Sequence, residues 1–334
     1  MADEMLLSQR EAEITFGAEL PARLGRLTAI AFVAFAGVVQ PSPAKTTWYL
    51  ARPGMDRDLS GVIVCAGEIA SSVYVTRLRF AVGGQPFQMA MIDTVVTHPD
   101  FRRRGMARRL LQRALDGARA IGLDGVSLYT MPHTLPFAIY TRLGFQPYRQ
   151  SIVWMEEEGA SLPAGAATVR SIKSGEEAAV RELVNRFNAN RDGYVWLDDA
   201  LWAWRKRARP AHMPADIRTV WEGDQLIGTA TLCPVALIST MGPARHVYLT
   251  DIGFADTAGE AALPSLLAPR LSRDRYISLA GENDTALAAL FTRLGFAATP
   301  GEMCLIYPLQ EALQQALTRS ERPWYVLPES VVGV

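Results

Sequence analysis

Three consecutive guanidinium groups stand at Arg102, Arg103 and Arg104, followed at once by Gly105, Met106, Ala107 and Arg108. A turn of this composition at the start of a helix suits an anion. The first N–H groups of a helix have no partner within it, and the helix dipole favours negative charge there. Gly105 carries no side chain to hold a phosphate away from the backbone, and small Ala107 leaves the next turn open. A pyrophosphate fits the arrangement. Taken alone, the run reads equally as a solvated basic patch, since charge runs commonly are. It is neither a Walker loop nor a dinucleotide fingerprint, because G-x-x-x-x-G-K-S/T and G-x-G-x-x-G are both missing.

The elements around this turn are legible. SGVIVCAGEI, SVYVTRLRFAV and FQMAMIDTVV are β-rich, and GGQPF between the last two reads as a hairpin turn. After the turn, Ala107, Leu110, Leu111, Ala114, Leu115 and Ala118 recur at three- and four-residue spacings. That pattern predicts an amphipathic helix, which Gly122 ends. GVSLYT then predicts a strand, FAIYTRLGF a short helix with a glycine stop, and RQSIVWM another strand.

The pentapeptide TRLGF occurs twice, at Thr141–Phe145 and Thr292–Phe296, and 292 − 141 = 151 is close to half the 334 residues. The flanks repeat in kind: RYISLA precedes the second copy and EMCLIYPL follows it. A long-period repeat with strand, short helix, Gly-Phe and strand in each copy predicts two related α/β halves. The polar, glycine-containing stretch between them reads as a linker. The expected division is therefore 1–157, a linker at 158–166, a second half at 167–319 and an extended tail at 320–334.

Composition limits the partners. Thirty-four basic and 34 acidic residues cancel, so the chain as a whole offers no field for nucleic acid or an acidic membrane. Cys65, Cys233 and Cys304 are odd in number and far apart, and the four histidines are scattered. No metal site or disulfide framework is expected, and a reducing, cytoplasmic location is. The apolar stretch Leu27–Val39 is too short to span a bilayer and is expected to be a buried helix.

VVTHPDFRRRGMARRLL resembles the acetyl-coenzyme A loop of the GNAT acetyltransferase superfamily, with Arg102, Gly105 and Ala107 at its fixed points. FAIYTRLGFQPY resembles that superfamily's tyrosine-bearing helix. The resemblance spans roughly residues 14–155 and covers the second half in outline only. It implies tandem GNAT acyltransferase domains, each an α/β fold with a mixed central sheet flanked by helices. By the same resemblance, Val95, Val96 and Thr97 would run beside the pantetheine arm of acetyl-coenzyme A. The turn Arg102–Arg108, with Met106, would cradle the pyrophosphate. His133 stands where the family often has asparagine, and it is carried as a cofactor contact on that ground. Tyr140 matches the tyrosine that protonates the departing thiolate, and Asp93 lies near the family's proton-accepting carboxylate. The implied activity is direct acetyl transfer to a primary amine of a small molecule, with no acyl-enzyme.

At the tyrosine position the second half has Phe291, which donates no proton, and no R-x-x-G-x-A turn precedes its helix. Asp256 and Glu260 would repel a pyrophosphate, and Pro264 and Pro269 interrupt the supporting helix. One working site is expected, in the first half. The tandem arrangement resembles mycothiol synthase and the enhanced-intracellular-survival acetyltransferases. A non-catalytic acyl-coenzyme A sensor is the competing expectation. The segment Asp192–Pro210 holds Trp196, Trp202 and Trp204 beside Asp198, Asp199 and a basic run. These rings are expected to pack in the core or between halves with the charges solvated, although aromatic faces and carboxylates could also hold an amine.

Overall fold

Side chains alternate across the central strands. Val73, Val75, Ala90 and Ile92 pack into one core, while Tyr74, Leu78, Met89 and Met91 pack into another on the opposite face. A strand buried on both faces must be covered on both, and the helices do so. The computed structural model describes residues 20–32, 38–39, 42–65, 67–157, 167–238, 244–268 and 274–331. The expected linker 158–166 lies outside them.

The first half runs α1 (Leu20–Phe32), β1 (Val38–Val39), α2 (Pro43–Leu50), β2 (Gly61–Cys65), β3 (Glu68–Val82) and β4 (Gln85–Thr97). It continues with α3 (Met106–Ala120), β5 (Gly125–Thr130), α4 (Leu135–Arg142) and β6 (Gln146–Glu156). The second half runs β7 (Val169–Ser171), α5 (Glu177–Asn188), α6 (Asp199–Trp202), β8 (Asp216–Glu222), β9 (Gln225–Ile238) and β10 (Ala244–Phe254). Then come α7 (Thr257–Ala261), α8 (Leu263–Leu267), β11 (Arg275–Gly281), α9 (Thr285–Arg293), β12 (Phe296–Pro308), α10 (Glu311–Arg319) and α11 (Pro328–Val331). No helix among the described residues is long and apolar enough to cross a membrane. The apolar stretch starting at Leu27 is helical as far as Phe32, with Leu27 and Ala31 buried.

Both predicted glycine stops form. Gly144 and Gly295 have φ of 101° and 75°, the left-handed conformation that closes a helix. The phenylalanine after each folds back, Phe145 onto Tyr140 and Phe296 onto Phe291.

The halves exchange their last strands. Among the described residues, twelve strands form one mixed sheet, in the order β2-β3-β4-β5-β12-β6-β11-β10-β9-β8-β7, with β1 on β9. Thus β12 of the second half lies antiparallel to β5 of the first, and β6 of the first lies antiparallel to β11 of the second. At the centre β6 and β12 pair with each other, in a register that obeys the repeat. Gln146 faces Ile306 and Ala297 faces Met155, and 297 − 146 = 306 − 155 = 151. Each half's strands are therefore continued in the sheet by a strand of the other half.

The aromatic segment ties the halves together. Trp48 and Trp204 stack with ring centroids 4.4 Å apart. Each indole N–H donates to the other residue's carbonyl, at 2.9 and 2.7 Å. Trp202 is also buried, but Trp196 is half exposed, contrary to the packing expected of it. Trp204→Phe would keep much of the stack and lose one buried hydrogen bond. A loss of about 1–2 kcal/mol of unfolding free energy is expected in urea titrations.

The basic run is not solvated as expected. Ala203–Arg207 forms a wide π turn that carries Arg205 and Lys206 inward. Ser320–Val331, within the expected extended tail, packs against the body of the protein. Its main chain exchanges hydrogen bonds with Asp192, and Trp324, Val326, Leu327 and Glu329 are buried. These charges are paired. Arg52 bonds Asp93 at 3.2 Å and Glu329 at 3.0 Å, Arg205 bonds Glu329 at 2.5 Å and Asp251 at 3.1 Å, and Lys206 bonds Asp251. Buried charge persists only where it is paired, so burial of the tail and burial of the run require each other.

Candidate active site

β4 breaks its regular pairing where the site begins. Its register with β3 shifts between Ser72 and Tyr74, and Thr94 takes φ of 51°, unusual for a residue other than glycine. Its parallel pairing with β5 ends at Ile92–Leu128. Beyond that point the two strands splay apart, and Asp93, Thr94, Val95, Val96 and Thr97 line a cavity of about 1590 Å³. The open strand edge offers backbone groups to an extended ligand arm, as a neighbouring strand would.

Past the strand, Pro99–Phe101 makes one 3-10 turn, and Gly105, with φ of 74°, leads into α3. No side chain caps this helix, and the space beside the α-carbon of Gly105 is open. Arg102, Arg103 and Arg104 are exposed on the cavity rim. Arg102 donates to the Thr97 carbonyl at 3.3 Å, and Arg104 lies over the Phe101 ring. Met106, Ala107 and Arg108 complete the lining there. An uncapped helix start, a bare glycine and three arginines fit a pyrophosphate, and the open edge of β4 fits a pantetheine arm.

Tyr140 is buried and lines the same cavity from α4. Burial, then the nearby Glu302 carboxyl, push its phenol well above the ordinary range, so it stays protonated at any working pH. Asp93 faces the side covered by α1 and α2. Burial raises its carboxyl to about 6, although Arg52 and a hydrogen bond from Tyr49 oppose the shift. The Arg52 guanidinium is shared with Glu329 and cannot hold Asp93 low by itself. His133 departs from the group: it is exposed, with φ of 61°, and stands off the cavity lining beside Phe137. The structure therefore does not bring it to the proposed cofactor path.

The sequence reading did not single out Glu302, Lys45, His246 or Tyr248, which also line the cavity. Glu302 arrives on the exchanged strand β12, so no local signal places it near Tyr140. Burial, then the Asp93 charge, raise it to about 8. Lys45 is lowered to about 8 by burial and by Arg209.

At the end of β10 in the second half the space is small. β10 repeats the break with Asp251 at φ 47°, and its parallel pairing with β11 ends at Leu249–Ser278. Here only about 30 Å³ remains, lined by Asn188, Ile252, Tyr325 and Pro328 among others. Asp256 caps α7 by accepting from the Gly259 N–H at 3.0 Å, so a carboxylate stands where an anion would bind. A side chain at Gly259 would collide with the Ile227 carbonyl at 1.9 Å.

A splayed β4–β5 pair, a basic turn and an uncapped α3 give a mixed α/β fold of GNAT type. Residues 26–148 match the family model described as an acetyltransferase (GNAT) domain. Among solved structures, the chain is similar to a GCN5-related N-acetyltransferase from Anabaena variabilis, at 17% identity and a TM-score of 0.66, covering 91% of this chain and 73% of that one. It is also similar to a conserved protein of unknown function from Enterococcus faecalis, described as a probable N-acyltransferase. There the identity is 13% and the TM-score 0.64, covering 93% of this chain and 74% of that one. No curated protein matches.

Proposed function

We propose that the protein is an acetyl-coenzyme A-dependent N-acetyltransferase that acts on a primary amine of a small molecule. It would be built as a tandem of two GNAT-like halves, 1–157 and 167–319, with one working site in the first. The observation that carries this reading is the continuity of the cavity from the basic turn, along the open edge of β4, to Tyr140 and Asp93. Acetyl-coenzyme A, when bound, supplies the activated acyl group. The amides and guanidinium groups of Arg102–Arg108 bind its diphosphate, with Val95–Thr97 beside its arm. Tyr140 gives its phenolic proton to the departing sulfur. The carboxyl side of the cavity, where Asp93 stands, receives the proton the amine must lose. An alkylammonium near pKa 10.4 is neutral in only about one molecule in 10³ at pH 7, so this side of the site is as necessary as the acid.

The test is thiol release from acetyl-coenzyme A across a panel of primary amines. Cofactor binding without turnover on any amine would support the sensor reading instead. Replacing Arg102, Arg103 and Arg104 together by alanine should weaken coenzyme A binding roughly 10- to 100-fold and flatten its salt dependence in calorimetry. An unchanged affinity would remove the turn from the site.

A further inference from the structure

Glu302 is the acidic residue on the cavity wall that the ion-pair network leaves out. Asp93 and Glu329 both accept from Arg52, whereas no cation pairs with Glu302 among the described residues. Its position is built. β12 carries an extra residue here, with Gly301 and Glu302 set against Ser151, and its register shifts between Pro300 and Met303. Ser151 donates its hydroxyl to the Glu302 carbonyl at 2.9 Å, and Gln150 donates to the Gly301 carbonyl at 3.1 Å. A side chain at Gly301 would meet the Ser151 hydroxyl at 2.7 Å, so the close approach needs glycine. Bulges re-aim side chains, and this one presents a carboxyl to the cavity between the sides held by Asp93 and Tyr140. A half-buried carboxyl without a cation calls for a cationic ligand. The same cavity is also lined by apolar and aromatic side chains, among them Val153, Met155, Leu237, Ile277, Tyr74 and Tyr248.

We propose that Glu302, delivered by the second half, holds the acceptor's ammonium group and takes its proton, and that the acceptor is a primary amine on an apolar or aromatic body. Asp93 then acts as a positioning residue whose charge raises the proton affinity of Glu302. The inference rests on the acetyltransferase reading and divides its labour. One N–H proton passes to the Glu302 carboxylate, and the freed lone pair forms the C–N bond as the C–S bond breaks. The sulfur takes the Tyr140 proton. The second proton lost by the nitrogen restores the phenol, and the proton on Glu302 leaves to solvent. One proton is released per turnover, as the overall reaction requires.

The first test is calorimetric binding of phenethylamine to the full chain in the presence of coenzyme A. Glu302→Gln should weaken amine binding at least 10-fold and leave coenzyme A affinity unchanged, with Glu302→Asp restoring part of the loss. Wild-type amine affinity in Glu302→Gln overturns the proposal. So does a wild-type protein that binds no phenethylamine; thiol release with another kind of acceptor would then leave the acetyltransferase reading standing.

The pH profile gives a second readout. The other titratable or charged groups facing this space are Tyr74 on β3, Asp93 on β4, Tyr129 on β5, Tyr140 and Arg142 on α4, Lys45 and Tyr49 on α2, Arg52 just beyond α2, His246 and Tyr248 on β10, Glu329 on α11, and, at the basic turn, Arg102–Arg104 and Arg108. In the wild type, kcat/KM should rise through about pH 8 as Glu302 ionises. Glu302→Gln should lose that limb and recover only toward the amine's own pKa, about 10. Lys45 also titrates at about 8, so Lys45→Met must keep the limb; if it removes the limb and Glu302→Gln does not, the proposal fails.

Stability gives a third. The folded protein keeps the Glu302 proton up to about pH 8, whereas an ordinary glutamate loses it near 4.5. The stability this contributes is present below 4.5 and lost as pH rises toward 8. Glu302→Gln should therefore melt higher than wild type at pH 9. A lower melting temperature at every pH would mark a purely structural residue and overturn the assignment.

Discussion

Tyr140→Phe is expected to lower kcat by about 10²- to 10⁴-fold while leaving the affinity for coenzyme A within about twofold, the range for loss of one general acid. The substitution removes a hydroxyl and little else. The ring is buried against Phe145 and remains so, and the helix that carries it is unchanged. A phenol held well above its usual pKa does not ionise in the working range, so the effect should be nearly independent of pH up to pH 9. Turnover within threefold of wild type would take Tyr140 out of the chemistry. In the second copy of the TRLGF motif Phe291 takes the tyrosine's place and stacks on Phe296, with no hydroxyl to donate.

Glu329→Ala is expected to cost about 3–5 kcal/mol of unfolding free energy, the usual penalty for removing one partner of a buried ion pair. The carboxylate bridges Arg52 and Arg205, one from each half, and all three side chains are almost fully buried. Each arginine retains one further carboxylate, Asp93 or Asp251, so the folded state should survive with a lower urea midpoint. Glu329→Gln should fall between the two. A loss below about 1 kcal/mol would mean that water or the remaining partners satisfy both guanidinium groups.

The pH dependence has a definite sign. Burial alone would raise Glu329 and Asp251, but Arg205 with Arg52, and Lys206 with Arg205, outweigh it and hold both carboxyls low. Their stabilisation is present at neutral pH and is lost on acidification below the ordinary carboxylate range. Asp93 runs the other way: its contribution is present in acid and lost as pH rises toward about 6.

What the sequence revealed and what it concealed follow from the range of the forces involved. The amphipathic spacing of α3, the hairpin at Gly83–Gly84 and the stops at Gly144 and Gly295 are local, and each leaves a local pattern. The basic turn was legible for the same reason. The strand exchange was not. β6 and β12 are ordinary strands in sequence, and nothing within either says whether its partner lies in its own half or the other. Glu302 was hidden for that reason, since its meaning depends on a pairing across more than 150 residues. Arg205 and Lys206 look like a solvated charge run because their partners, Asp251 and Glu329, lie 45 and 124 residues away. His133 was assigned by position in a motif, and its left-handed backbone turns that position outward.

The exchange of strands has a consequence on the ribosome. β5 and β6 leave the tunnel with exposed edges that only β12 and β11 can cover. The chain from Thr130 to Pro308, 308 − 130 = 178 residues, must be made before β5 is fully paired. At about 5–20 residues per second that interval is roughly 9–36 s. Through it the nascent first half presents an unpaired, apolar sheet margin to every other chain nearby. Either half expressed alone is therefore expected to expose that margin and aggregate. Production of this protein should depend on chaperone supply and translation speed more than its folded stability would suggest.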